Sequence, residues 1–504
     1  MADTKREIER KYEATSDTRL PDLTRVPGVS AVTDQGTAEL DAVYYDTADL
    51  RLAAHSLTLR RRTGGDDAGW HLKLPVAPGI RDEIHAPLAD DVPHPLAGLV
   101  RARTRGDTLL PVVRLRSSRH IHHLEGGDGT PLAELSTDTV SAEPLTDGGT
   151  TATWTEIEVE LADGGDPAFL DAVDKRLRKA GLRPAAAPSK LARALTETGA
   201  APTPPRRPDA GAADHTAGGH ILRYLREQAD ALLTYDAAVR RDLPDSVHRM
   251  RVATRRLRSA FRTYKRVLDR TATDPVADEL KWLAAELGVD RDQEVLDDRL
   301  HTALDAVPLP LLLGPVRGRL RVWTAARRSG SRGRTVAVLD SERYLTLLGA
   351  LDTLLTDPPL RPAAADPAAD VLARAVRKDH DRVAARIEHA LALPPGQDRD
   401  VALHEARKAA KRARYAAEAA RPALGKPAKR FAKRMKAVQN VLGEHQDAVV
   451  AREALRTLAI QAHAAGETAF TWGLLYGREE LAAADREREL PEVWAKVTLR
   501  GLRG

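Results

Sequence analysis

Charged and apolar residues alternate in several short segments up to Leu161, and this period of two is the feature that most restricts the fold of the chain. Glu7, Glu9 and Lys11 fall on one side of such a segment, whereas Ile8 falls on the other. Successive side chains of a β-strand point to opposite faces, so each segment reads as a strand with one charged and one apolar face. Gly- and Asp-rich clusters between the segments supply the turns. The further alternating segments are 57–62, 70–74, 113–116, 134–138 and 156–161.

The charges of these strands are segregated along the chain. For any one strand, a charged face turned to water is the ordinary explanation of the alternation. Here, however, basic strands come first and acidic strands follow, with the Glu-x-Glu-x-Lys strand in front of both. A sheet closed into a barrel with its charged faces inward would form an anion-binding tunnel with a carboxylate side for a metal ion. We therefore expect an α+β protein that begins with a closed antiparallel β-barrel.

Residues 1–200 resemble the CYTH superfamily, the triphosphate tunnel metalloenzymes. The resemblance rests on motifs in a fixed order: Glu7-Ile8-Glu9-Arg10-Lys11, Leu59-Arg60-Arg61-Arg62, Lys73, Arg114 with Arg116, Asp138, Glu156 with Glu158, and Lys190. It implies catalytic roles for Glu7, Glu9 and Lys11. It implies triphosphate binding by Lys11, Arg60, Arg62, Lys73, Arg114, Arg116 and Lys190, and metal binding by Glu7, Glu9, Asp138, Glu156 and Glu158. Two choices stay open: which of Arg114, Arg116 and Arg119 faces inward, and which two of Glu156, Glu158 and Glu160 meet the metal.

These residue types suit the expected chemistry. Several arginines and lysines would line the path of a highly charged triphosphate, because each charge-assisted contact contributes roughly 1.5 to 3 kcal/mol. Mg²⁺ or Mn²⁺ prefers hard oxygen ligands, which the carboxylates supply. Phosphoryl transfer depends mainly on positioning and electrostatic stabilisation, so a chain without cysteine can perform it.

The pattern changes near residue 200. Residues 201–219 are rich in Pro, Ala and Gly and predict a linker. Residues 220–504 follow a helical period, and one helix carries a basic stripe at steps of three and four. Like charges at that spacing destabilise an isolated helix, so either a bound anion compensates them or the face is simply solvated. The stripe consists of His248, Arg251, Arg255, Arg258 and Arg262.

A second copy of the basic stripe follows at a constant offset of 156 residues (404 minus 248). This repeat predicts a helical domain with internal twofold symmetry, although Glu418 stands where the first copy has Arg262. Residues 220–504 thus resemble the CHAD domain, a helical, histidine-containing family that binds inorganic polyphosphate. The resemblance implies polyphosphate binding by His248, Arg251, Arg255, Arg256, Arg258, Arg262, His404, Arg407, Lys411, Arg412, Arg414 and Lys433.

Charge supports this division of roles. Residues 1–200 hold 25 Lys and Arg against 32 Asp and Glu, whereas the remaining residues hold 53 against 41, out of chain totals of 78 and 73. The basic part is the expected polyanion binder.

Several functions are compatible with the sequence. Metal-dependent hydrolysis of inorganic tripolyphosphate ranks first, a non-catalytic polyphosphate receptor or scaffold second, and a class IV adenylate cyclase third. Nucleic-acid binding ranks below these, because few aromatic residues interleave with the basic ones. No apolar run approaches the length of a membrane span and no signal peptide is recognisable, so we expect a cytoplasmic protein.

Overall fold

The computed structural model of the protein describes residues 3–146, 148–200, 215–328, 331–499 and 501, except for the side chains of residues 3, 289–292, 328 and 331. The chain forms two compact units, Met1–Arg206 and Arg207–Gly504. Residues 201–214 of the predicted linker lie outside the described residues, and a helix already begins at Ala217. The bounds predicted for the linker therefore stay a prediction.

The first unit contains an eight-stranded antiparallel barrel, as the sequence predicts. Its strands follow the spatial order β5-β4-β3-β2-β6-β7-β8-β1, and β1 also pairs with β5, which closes the barrel. A short strand, β9, adds to the end of β1. The strands are β1 (Asp3–Ala14), β2 (Ala31–Asp46), β3 (Thr58–Thr63), β4 (Gly69–Ala77), β5 (Ile80–Ala86), β6 (Leu110–Glu125), β7 (Pro131–Pro144), β8 (Ala152–Leu161) and β9 (Arg183–Pro184).

Strand β1 closes the barrel by changing partners midway. Up to Ile8 it pairs with β5, and from Glu9 it pairs with β8. At the change, the amide of Glu9 donates to the carbonyl of Gly79, 3.0 Å away. Gly79 has φ +71°, and a Cβ there would lie 2.9 Å from the carbonyl oxygen of Glu9. Only glycine fits this turn without a backbone shift.

In the described part of the first unit, four α-helices accompany the barrel: α1 (Arg51–Ala54), α2 (His94–Thr104), α3 (Pro167–Lys179) and α4 (Lys190–Glu197). Leu170, Val173 and Leu177 of α3 pack with Ile157 and Val159 of β8 in one buried apolar cluster. The apolar face of these strands is therefore outside and is covered by α3.

Helix α4 packs on the inward face of the barrel. Leu191 and Leu195 of this helix form a second buried cluster with Val113 and Leu115 of β6 and with Trp154 of β8. The interior thus has an apolar part next to α4, and the charged residues occupy the rest.

The second unit is helical. It contains α5 (Ala217–Arg240), α6 (Ser246–Thr263), α7 (Arg270–Glu286), α8 (Gly288–Asp305), α9 (Val316–Arg328), α10 (Ser331–Asp340), α11 (Glu342–Thr356), α12 (Ala368–Ala392), α13 (Gln397–Ala464) and α14 (Phe470–Ala495). Gly425 interrupts α13 with non-helical angles (φ 59°, ψ −132°), so its two parts are helices joined at a kink. The described helices include none that is long and apolar enough to cross a membrane.

The two helices with the repeated basic stripe are in direct contact. Small residues such as Ala413 and Ala417 form the buried side of α13, and Leu257 and Phe261 form that of α6. The hydroxyl of Tyr264 donates to the carbonyl of Ala416 at 2.8 Å. The helical class is confirmed, whereas the internal twofold symmetry stays a prediction.

Candidate functional site

The barrel encloses a charged cavity of about 740 Å³. Residues from all eight barrel strands and from the start of α4 line it. The ionisable side chains of this lining are Lys5, Glu7, Lys11, Tyr44, Arg60, Arg62, Asp66, Asp67, His71, Lys73, Arg81, Glu83, His85, Arg119, His123, Glu134, Glu158, Glu160 and Lys190.

The two carboxylates of β1 are buried and paired with cations. Glu7 is 4% exposed and Glu9 is 5% exposed. Lys73 Nζ lies 2.6 Å from Glu7 Oε1, while Glu7 Oε2 is buried and has no hydrogen-bond partner in the part of the chain that the structure describes. Glu9 Oε1 accepts from Arg81 at 2.9 Å, and its other oxygen lies 3.0 Å from Lys11. Burial alone would raise the pKa of Glu9, but Lys11, Lys73 and Arg81 lower it.

A second group of carboxylates lies on β7 and β8. One oxygen from each of Asp138, Glu156 and Glu158 lies within 4.8 Å of the others. Lys190 Nζ, at the start of α4, lies 2.9, 2.8 and 2.6 Å from these three side chains in turn. Burial opposes the charge of Lys190, but the three carboxylates raise its pKa above the usual value.

Arg119 of β6 joins this group from the neighbouring strand. Its guanidinium contacts both oxygens of Asp138, at 2.8 and 2.9 Å, and Glu158 at 2.8 Å. Such forked contacts fix the geometry of both partners. Lys11 also pairs with Glu158, so the carboxylates of β1 and β8 share one network.

The opposite wall is more basic. Arg60, Lys73 and His71 surround Glu83, whose carboxylate lies 3.6, 3.8 and 3.0 Å from them in turn. Burial would raise the pKa of Glu83, but Lys73 and the hydrogen bond from His71 lower it. The Nε atoms of Arg60 and Arg62 are enclosed and have no hydrogen-bond partner among the described residues. These enclosed groups can each donate a hydrogen bond to a ligand oxygen.

The structure corrects the placement of two predicted residues. Arg114 and Arg116 lie on the outer face of β6, where Arg114 Nε donates to Asp41 at 2.8 Å and the Arg116 side chain is 55% exposed. Arg119 is the arginine of β6 that faces the cavity. The other predicted barrel residues lie together inside: Glu7, Glu9, Lys11, Arg60, Arg62, Lys73, Asp138, Glu156, Glu158 and Lys190.

Sequence reasoning missed two residues of β5. Arg81 pairs with Glu9, and Glu83 holds the basic wall together. Both follow the period of two in β5, together with His85, and that signal was available in the sequence.

In the helical unit, α6, α12 and α13 surround a cleft of about 310 Å³ that is lined mainly by basic side chains. We call it the basic cleft. It is lined by Arg255, Arg258, Ser259, Arg262, Arg382, Arg386, Glu405, Lys408, Ala409, Lys411, Arg412 and Tyr415. Arg382 and Arg386 were not predicted. They come from α12, where their spacing of four places both on one face.

Four cations of the basic cleft form no ion pair with a described carboxylate. Within the described part of the chain, Arg255, Arg258, Arg262 and Lys411 form no ion pair within 4.0 Å, whereas Arg412 pairs with Asp379 at 3.1 Å. Burial, followed by Arg407 and Arg255, lowers the pKa of Lys411 to about 7. Burial and Arg262 likewise lower the pKa of Arg258. The cleft therefore concentrates positive charge that the protein leaves uncompensated.

The remaining predicted residues of this unit lie outside the cleft lining. Arg256 and Arg414 contact Glu418 at 2.9 and 3.3 Å, and Arg407 lies 3.8 Å from Asp447. Arg251 donates to the carbonyl of Gly288 at 3.4 Å. His248 and His404 are half-buried, and Lys433 is exposed.

Comparisons with known proteins agree with both halves of the structure. The CYTH domain family matches residues 5–195, and the CHAD domain family matches residues 223–456. Uncharacterized proteins from two strains of Mycobacterium tuberculosis are each 40% identical to the chain over 501 residues, which covers 96% of this chain and 94% of the relative.

Solved structures of lower similarity correspond to about half of the chain. PptA from Streptomyces chartreusis is 22% identical with a TM-score of 0.48, covering 56% of this chain and 100% of PptA. The CHAD domain from the plant Ricinus communis is 25% identical with a TM-score of 0.44, covering 57% of this chain and 92% of that domain. Because both family models match and the relatives span nearly its whole length, the chain belongs to the proteins that join a CYTH domain to a CHAD domain.

Proposed function

We propose that the barrel hydrolyses inorganic tripolyphosphate, or a related short phosphate chain, with Mg²⁺ or Mn²⁺, and that the helical unit binds polyphosphate. The observation that carries the proposal is one cavity in which Arg60, Arg62 and Lys73 face the carboxylates of β1, β7 and β8. A site for a phosphate chain and its metal needs both kinds of charge within reach of one ligand.

The cations of the barrel suit a phosphate chain. The enclosed Nε donors of Arg60 and Arg62 would each gain a phosphate oxygen, which removes the cost of a buried unpaired donor. Lys73 and Arg119 are already held in place by carboxylates, so little side-chain ordering is needed when the ligand binds.

The carboxylates suit a hard divalent cation. Glu7 Oε2 is buried and has no hydrogen-bond partner within the described ranges, and Asp138, Glu156 and Glu158 present oxygens within 4.8 Å of one another. Oxygen-only donors of this kind fit Mg²⁺ or Mn²⁺, which Glu7, Glu9, Asp138, Glu156 and Glu158 would hold. When bound, the ion would supply Lewis-acid polarisation of a phosphoryl oxygen and of water.

Lysines of the cavity would exchange partners when the substrate binds. Lys11 and Lys190 now pair with the carboxylates that the ion would require. The phosphate oxygens offer these ammonium groups new partners, so the charge stays compensated at each stage. The lysines then hold the phosphate chain, and the carboxylates become free as ligands.

The joined helical unit favours an inorganic substrate. Unpaired cations in the basic cleft, Arg255, Arg258, Arg262 and Lys411, suit a flexible polyanion. A polyphosphate binder on the same chain would raise the local concentration of phosphate chains around the barrel. For this reason we rank the adenylate cyclase below the phosphohydrolase.

The test is phosphate release by the full chain from tripolyphosphate, long-chain polyphosphate, ATP and thiamine triphosphate, each with Mg²⁺ and with Mn²⁺. We expect the fastest release from tripolyphosphate. A protein that binds polyphosphate but releases phosphate from no substrate would instead be a receptor or scaffold. Formation of cyclic AMP and pyrophosphate from ATP would identify a cyclase.

A further inference from the structure

Two histidines and an aspartate form a compact group on the outer face of the barrel. Asp34 lies on β2, and His120 and His122 lie on the neighbouring strand β6. The residues between and after these histidines, Ile121 and His123, line the cavity. Because neighbouring residues of a strand face opposite sides, His120 and His122 lie on the outer face, separate from the tunnel.

The geometry of this group is that of potential metal ligands. The imidazole rings of His120 and His122 are stacked, with centroids 4.7 Å apart and planes 8° from parallel. His120 Nε2 lies 2.8 Å from Asp34 Oδ1. One ligating atom from each of the three residues lies within 4.8 Å of the others. The Nδ1 atom of His122 is enclosed and has no hydrogen-bond partner among the described residues.

The carboxylate of Asp34 is fixed by its backbone surroundings. The β2–β6 ladder has a bulge between Asp34 and Gly36, and the amide of Gly36 donates to Asp34 Oδ1 at 2.7 Å. The bulge thus holds the aspartate beside the two histidines of β6. Its side chain remains 60% exposed, and that of His120 is 43% exposed, so an ion can reach the group from solvent.

Among the described residues, two other groups of potential ligands could be compared with this one, and neither is equivalent. Asp138, Glu156 and Glu158 offer oxygen atoms only and belong to the tunnel. In the group of Asp400, His445 and Glu487, each carboxylate already contacts an arginine, at 2.6 and 2.7 Å, and His445 is 2% exposed. That group is a closed ion-pair network, whereas the group on the outer face is open.

We propose that Asp34, His120 and His122 form a second metal site, which binds a borderline transition-metal ion of the Zn²⁺ class. Two imidazoles and one carboxylate are donors that Zn²⁺ prefers, whereas Mg²⁺ prefers oxygen atoms alone. Three protein ligands leave a fourth position for water or for a further ligand. Rotation of the exposed side chains brings the donor atoms to bonding distance, and the ion replaces the hydrogen bond between His120 and Asp34.

Occupation of this site would link β2 to β6 next to the cavity. Gln35 and Gly36, which line the cavity, belong to the same bulge as Asp34. An ion that binds the folded chain stabilises it in proportion to the logarithm of the metal concentration over the dissociation constant. Zinc should therefore raise the melting temperature of the first unit. The proposal does not depend on the proposed hydrolase activity.

The experiment measures uptake of Zn²⁺, and of Co²⁺ as a spectroscopic probe, by the full chain in a large excess of Mg²⁺ that saturates the tunnel carboxylates. The variants are His120→Gln, His122→Gln and Asp34→Asn. The matched control is His94→Gln, which removes an exposed histidine of the same unit. Circular dichroism establishes that each variant is folded.

We expect the parent and His94→Gln to take up one equivalent of Zn²⁺ and to give the same visible Co²⁺ spectrum. Each histidine variant should bind at least about tenfold more weakly and lose that spectrum, since loss of even an outer partner of a ligand costs about 10- to 100-fold. The Asp34→Asn variant should still bind Zn²⁺ through the two imidazoles, but with lower affinity than the parent. Equal affinity and equal spectra in the parent and both histidine variants would overturn the proposal, as would uptake that requires a large excess of Zn²⁺ over protein.

Discussion

Replacement of Lys411 by methionine should make the helical unit more stable and its polyphosphate binding weaker. The ammonium of Lys411 is partly buried beside Arg407, Arg255 and Arg251, with Asp447 as the acidic group that favours its charge. The fall of its pKa from 10.5 to about 7 corresponds to roughly 5 kcal/mol against the charged form. Solvent screening reduces such an effect, so we expect the free energy of unfolding to rise by about 1 to 3 kcal/mol below pH 7.

The sign of the pH dependence follows from the direction of this pKa shift. The folded-state pKa of about 7 lies below the unfolded value of 10.5, so the unfolded chain holds more protons between these limits. The free energy of unfolding therefore increases as the pH rises from about 7 to 10.5, because Lys411 loses its unfavourable charge in the folded state. Below pH 7 the buried charge destabilises the folded state to its full extent. The Lys411→Met variant should lack this increase.

The Lys411→Met substitution should weaken polyphosphate binding, although it stabilises the folded unit. A bound polyanion favours the charged lysine, so the parent takes up a proton on binding above pH 7, and its affinity falls as the pH rises. The methionine variant should bind more weakly below pH 7 and show a flatter profile. Burial, followed by Lys408, also lowers the pKa of His404.

The assay is urea unfolding followed by helical circular dichroism, together with titration of polyphosphate, on both sides of pH 7. The matched control is Lys408→Met on the same helix, because the Lys408 side chain is 58% exposed and pairs with Glu405 at 2.7 Å. That control should change the free energy of unfolding by less than about 0.5 kcal/mol. A Lys411→Met variant that is less stable than the parent at every pH, with an unchanged binding profile, would refute the reasoning.

Three further predictions concern the proposed sites. Glu7→Gln should abolish phosphate release, whereas polyphosphate binding, measured by titration, should stay as in the parent. Phosphate release within twofold of the parent would exclude a metal-binding role of Glu7. Arg119→Gln should lower kcat/KM for tripolyphosphate at least about tenfold, because a charge-assisted contact contributes about 1.5 to 3 kcal/mol. The control Arg116→Gln should leave kcat/KM unchanged. Equal losses in both variants would contradict the inward placement of Arg119 and the outward placement of Arg116. Reversal of Arg255 and Arg258 to Glu should weaken polyphosphate binding and reduce its dependence on salt; an unchanged salt slope would mean that this face is only solvated.

The barrel could be predicted from the sequence because its alternation is regular. The Glu-x-Glu-x-Lys strand and the acidic strands each have the same charged and apolar faces that the structure turns inward and outward. Closure could be predicted because the basic and acidic strands are segregated along the chain, with the Glu-x-Glu-x-Lys strand in front of both. Ten of the predicted side chains therefore lie inside, including those of Asp138 and Lys190, which are far apart in sequence.

The error at Arg114 and Arg116 has a physical cause. The inward face of β6 changes character along the strand: Val113 and Leu115 pack with α4, and Arg119 then faces the charged cavity. From alternation alone, the apolar face of the first half of β6, with Val113 and Leu115, would be placed outside, and Arg114 and Arg116 would face inward. In the structure α4 covers this apolar face from inside the barrel, and the position of α4 can be known only from the tertiary structure.

The helical unit shows a similar limit. The basic stripe of α6 and its repeat in α13 follow from local spacing, but the cleft also requires Arg382 and Arg386 from α12. No local pattern connects α12 with α6, because their contact depends on how the helices pack. The sequence therefore predicts the charged helices α6 and α13, but it does not predict that α12 forms the third wall of the cleft.

The two anion sites use opposite electrostatic arrangements, and this difference fits the two proposed roles. In the barrel, carboxylates hold each lysine and raise the pKa of Lys73 and Lys190 in spite of burial. In the basic cleft, burial and then the neighbouring cations lower the pKa of Lys411 and of Arg258. A compensated site is fixed in geometry before the ligand arrives, as positioning for phosphoryl transfer requires. An uncompensated site gains most from any polyanion that neutralises it, whatever its length, and this is the property expected of a polyphosphate binder rather than of a catalytic centre.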